Sequence, residues 1–115
     1  MTHTDTATRR RRLIADLREF ATYLEAHAHI PIPRYLDLEF QVHTRNDTDA
    51  ATEDEAIAEV GRIAERLGVP VTVRSGHHVA TLRMGLVVYK AVAIEEQARA
   101  AYRSSLRPDD SGGVR

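Results

Sequence analysis

The sequence predicts an α+β fold in the order α-β-α-β-β-β-α, with an antiparallel sheet and helices packed on one face. Three observations predict it. Apolar residues recur at helical three-and-four spacing in three separate stretches. One stretch alternates strictly with period two. Short valine-rich runs separated by Ser-Gly and Gly signals fill the segment between the second and third helices.

Each element has its own signal. Residues 1–8 are polar and read as a flexible N-terminus. A helix follows from about Thr8 to Ala28, with Leu13, Leu17, Phe20, Leu24 and Ala28 on one stripe and Ile14 and Ala21 widening it. Pro31 and Pro33 end it, because proline lacks a backbone donor and pushes its predecessor out of helical geometry. From Tyr35 to His43, Leu36, Leu38, Phe40 and Val42 alternate with Asp37, Glu39, Gln41 and His43, one dry face and one wet. Residues 44–51 read as a polar loop. Thr52 and Glu55 make a capping-box pattern for a second helix, whose stripe is Ile57, Val60, Ile63, Ala64 and Leu67. Gly68 suits its left-handed cap and Pro70 blocks its continuation. Val69, Val71 and Val73 alternate as a short strand before the Ser75-Gly76 turn. Val79 to Met84 and Leu86 to Ala93 read as a hairpin about Gly85, since one continuous strand would be too long for so small a domain. A third helix runs from Ile94 to Leu106, with Glu95 and Arg99 at favourable i,i+4 spacing. The domain is read as residues 9–106, and 107–115 as a disordered Gly/Ser/Asp tail.

Composition narrows function by exclusion. The chain has 115 residues, the size of one domain. Its net charge of −1 provides no global field toward nucleic acid or an anionic membrane. Charge is segregated nonetheless: residues 35–67 are acidic and 68–107 basic. The absence of cysteine removes disulfides, thiolate metal sites and a cysteine nucleophile. No apolar run approaches the ~20 residues that span a bilayer, and no secretory h-region follows the basic N-terminus, so a cytoplasmic location is expected.

No constellation reads as catalytic. His27 and His29 diverge on a helix, His77 and His78 diverge at a turn, and no H-x-x-x-H spacing occurs, so no metal is expected. The stretch Asp47, Asp49, Glu53, Asp54, Glu55 lacks the glycine of a calcium loop, and capping accounts for its last three acids. Asp37 and Glu39 share a strand face but need only be solvated charges. No nucleophile elbow, phosphate loop or dinucleotide fingerprint is present, and no cofactor is expected.

Two surfaces remain. The wet strand face, Asp37, Glu39, Gln41 and His43, is the candidate partner-binding site, with the valine strand at 69–73 as a sheet edge open to strand addition unless Pro70 protects it. The basic set Arg9, Arg10, Arg11 and Arg12, joined by Arg74, Arg83 and Lys90 on the exposed sheet face, is the candidate nucleic-acid site. A homodimer through the sheet edge or the first helix is compatible with either.

The stretch from Arg11 to His43 also resembles a family of small uncharacterised proteins from high-GC Gram-positive bacteria, their phages and integrating elements. The shared pattern is a helix L-R-x-x-A-x-x-L-E-x-H, then P-x-P and an alternating strand, met by Leu17, Arg18, Ala21, Leu24, Glu25, His27, Pro31 and Pro33. Residues Ile63 to Gly68, the strand pair about Gly85 and the run Val92, Ala93, Ile94 are similar too, so the resemblance covers about residues 12–106; Met84 stands where the family has an aromatic. It implies an accessory role in a phage-like or mobile-element setting. The function expected is that of a non-enzymatic accessory protein that binds a protein partner, with nucleic-acid binding through the Arg-rich helix as the alternative.

Overall fold

The computed structural model describes residues 3–105, and the tail at 107–115 lies outside them. The elements are α1 (His3–Ala26), β1 (Leu38–His43), α2 (Thr44–Asp47), α3 (Glu53–Leu67), β2 (Val71–Arg74), β3 (His77–Met84), β4 (Val87–Ile94) and α4 (Glu96–Ser105). The chain divides into two compact units, Met1–Leu36 and Asp37–Arg115, where the sequence suggests one domain over 9–106.

The first unit is built on α1. Helix begins at His3, ahead of the expected start at about Thr8, and it ends at Ala26. His27 terminates it: its backbone N–H donates to the Tyr23 carbonyl at 3.0 Å, its Nδ1 lies 2.9 Å from the same oxygen, and its ring stacks on Tyr23. The two polar contacts satisfy one of the carbonyl groups in the last turn of the helix. The stripe expected to be buried is exposed at Leu13, Leu17 and Phe20, and Leu24 is half-buried. Periodicity correctly identifies a helix here, but burial does not follow from it.

The second unit holds a four-stranded sheet in the order β1-β4-β3-β2. β2–β3 and β3–β4 are antiparallel, but β1 pairs with β4 in parallel, which corrects the antiparallel expectation to a mixed sheet. Hairpin signals determine the β2-β3-β4 meander. No turn joins β1 to β4, so their pairing is a choice the whole chain makes. Gly85, at φ +63, heads a two-residue turn closing Met84 against Val87, so it makes a hairpin rather than a bulge.

The register places Phe40, Val42, Tyr89, Ala91, Ala93, Ala80 and Leu82 on one face, and α3 packs there. The core is a layer of small side chains: Ala56, Val60 and Ala64 of α3 against Ala80, Ala91 and Ala93, with Ile57, Ile63, Val69 and Tyr89 around them. α3 is fixed at both ends. The Thr52 hydroxyl accepts from the Glu55 N–H at 3.2 Å, and the Glu55 carboxylate accepts from the Ala51 N–H at 2.7 Å. This is the expected capping box, shifted by one residue on its return arm. At the other end Gly68 takes φ +71, and the Val69 N–H reaches the Ala64 carbonyl at 3.0 Å.

The segment read as a loop contains α2, which reverses the chain between β1 and α3. Thr44 is fully buried at this junction. Its hydroxyl donates to the Ala56 carbonyl at 2.8 Å and lies 3.5 Å from the Val92 carbonyl. One side chain thus ties the end of β1 to α3 and β4.

A candidate docking face on the sheet

Strand alternation sends Glu39, Gln41 and His43 of β1 to the face opposite α3, and the register brings Lys90 of β4 and Arg83 of β3 to that face too. Asp37, just ahead of β1, meets Arg83 in a two-pronged pair, Nη1 to Oδ1 at 3.1 Å and Nη2 to Oδ2 at 3.3 Å. The Lys90 ammonium lies 3.4 Å from Glu39 Oε1. Gln41 Nε2 donates to Glu39 Oε2 at 3.3 Å, and its Oε1 lies 3.0 Å from His43 Nε2. Val88, in register between Glu39 and Arg83, is buried beneath this polar array.

The four candidate partner-binding residues are therefore brought together, along one edge of the sheet. The basic set is divided between the two units. Arg83 and Lys90 do lie on the exposed face, but each has a carboxylate partner, so the array carries two positive and two negative groups and no net charge. Arg74 shares the face from β2, on the opposite edge strand, and makes no ion pair among the described residues. Arg9, Arg10, Arg11 and Arg12 belong to α1 in the other unit. Four consecutive residues on a helix fan through about 300°, so they form no single cationic stripe. Arg11 Nη2 donates to the Thr8 hydroxyl.

The hydrogen bonds from Arg83, then its charge, hold the Asp37 carboxyl below its ordinary value, and Asp37 raises Arg83 in return. This partnership spans 46 residues of sequence and is invisible to spacing rules.

Three contacts that sequence reasoning missed brace the far end of the unit. His78 Nε2 lies 2.8 Å from the Glu95 carboxylate, so Glu95 pairs with His78 and not with Arg99. The Glu95 N–H donates to the Gly76 carbonyl, and the Glu96 N–H donates to the Glu53 carboxylate at 2.8 Å. Glu53 looks from sequence like a charge for its own helix dipole, but it also holds the start of α4. Among the described residues no group of three or more His, Asp or Glu is arranged to hold a metal ion. No described helix is long and apolar enough to cross a membrane. Compared with protein-family models, curated proteins and solved structures, the chain matches none of them.

Proposed function

We propose that this chain is a non-enzymatic accessory module that acts in the cytoplasm by docking a protein partner on the polar face of its sheet. The supporting observation is the array of Asp37, Glu39, Gln41 and His43 with Arg83 and Lys90, on the open face of the sheet but internally neutralised. A charge-balanced surface with directed donors and acceptors suits a protein partner of alternating charge better than a polyanion, which requires uncompensated cations. The resemblance of residues 12–106 to small proteins of phages and integrating elements is what suggests a partner from such a setting.

The alternative uses Arg9 to Arg12, all exposed and without an ion pair among the described residues. Affinity capture on immobilised protein, with and without nuclease, separates the two. A partner retained under nuclease and lost with Glu39→Lys supports the sheet face. Material that vanishes with nuclease, and with all four arginines changed to alanine, transfers the function to α1.

A further inference from the structure

We infer that the open edge of β2 pairs with β2 of a second copy, extending the sheet across a two-fold axis through Thr72. The two edges of the sheet are not equivalent. On β1 the Leu38 N–H points to β4, bonding the Leu86 carbonyl at 2.7 Å, so Glu39, Gln41 and His43 turn their backbones outward. The Asp47 carboxylate accepts the His43 N–H at 2.9 Å, and an acid and an amide flank the rest. That edge is stoppered at its His43 end.

β2 is short and carries Arg74, but no side chain among the described residues caps its outward backbone groups. Ser75 at φ +52 and Gly76 at φ +77 form a two-residue turn between Arg74 and His77, in which the closing pair exchanges both hydrogen bonds. Arg74 and Thr72 therefore spend their backbone groups on β3, while Val71 and Val73 point theirs to open solvent. Every residue of β2 is exposed, Val73 to 59%. Pro70 does not protect this edge, because by the same alternation its missing donor is on the β3 side.

One antiparallel register of the edge with itself uses both valines of each strand. Thr72 meets Thr72 of the second copy, and Val71 meets Val73. The valines are the residues with free N–H and C=O groups, so each valine pair exchanges two hydrogen bonds. Their side chains share the face that α3 covers, and the threonines meet on the polar face. Both kinds of cross-strand pair are favourable. Each chain brings one charge, Arg74, and the two lie at opposite ends, roughly 14 Å apart along the strands, beyond the ~8 Å screening length. An edge this short is smaller than a standard interface, so the dimer is weak, with a dissociation constant on the order of 100 μM.

The chain contains no cysteine, so engineered thiols report the register directly. In the paired state the Thr72 positions form a non-hydrogen-bonded pair about 4.5 Å apart, within disulfide reach. Under a glutathione redox buffer at ~0.5 mM protein, chosen to exceed the expected dissociation constant, Thr72→Cys becomes a disulfide-linked dimer and Arg74→Cys stays monomeric. Sedimentation equilibrium of the cysteine-free chain shows a weak dimer that Thr72→Lys weakens at least tenfold without lowering Tm, since that side chain is exposed. Equal cross-linking of both thiol variants, no cross-linking of Thr72→Cys, or a strict monomer at that concentration overturns the inference.

Discussion

Thr44 shows how much a single hydroxyl can organise. It is buried where β1 ends, and its oxygen links that end to the Ala56 carbonyl of α3 and the Val92 carbonyl of β4. Thr44→Val keeps the shape and removes the donor. We expect a loss of about 1–2 kcal/mol, read as a lower denaturant midpoint with unchanged m. The Asp37–Arg83 pair acts in the opposite environment, at the exposed surface. Asp37 titrates below its ordinary value, so its contribution is complete above about pH 4 and is lost as the pH falls through its lowered value. Asp37→Asn should therefore reduce stability slightly at neutral pH and flatten the acid limb of Tm against pH. Identical acid limbs in the two proteins would refute the pairing. At this scale the sequence announces residue character but not partnership. Asp37 reads as a wet-face acid and Arg83 as a basic-patch member, and neither reveals that each neutralises the other.

At the scale of elements, local chemistry explains most of what forms. Thr52, Glu55 and Gly68 delimit α3 within a residue of the expectation, because caps and left-handed glycines act over a few residues of chain. α4 is different. The glycine of the β2–β3 turn serves the turn and also the helix that follows. At φ +77 Gly76 adopts a conformation that side chains disfavour, and a Cβ placed there would meet the Ala98 Cβ at 2.5 Å. Gly76→Ala should cost about 1–3 kcal/mol. In thermal melts, the double variant with Ala98→Gly should recover the part due to the clash and leave the part due to the backbone. Full recovery would show that φ carries no cost here. The glycine was readable as a turn residue, but its closeness to a helix twenty-two positions later was not.

Across the whole molecule, the buried cluster that joins α3 to the sheet lies entirely within the second unit. A chain beginning at Asp37 should retain a single cooperative unfolding transition and the far-UV signature of a mixed α/β unit, measured by circular dichroism. A broad, non-cooperative melt would show that residues 1–36 are needed for the fold. The sequence by itself determined the three longer helices and the four strands to within a few residues, the two hairpin turns, the caps of α3 and the wet and dry faces of β1, but not the short α2. Each is governed by backbone sterics or by side-chain periodicity over a few residues. The tertiary structure alone decided the parallel placement of β1 beside β4, the division after Leu36, the exposure of the α1 stripe and the pairing of Arg83 and Lys90 with Asp37 and Glu39. Those features rest on contacts between residues dozens of positions apart, where free energy depends on which surfaces the folded chain brings together, and no local pattern encodes that choice.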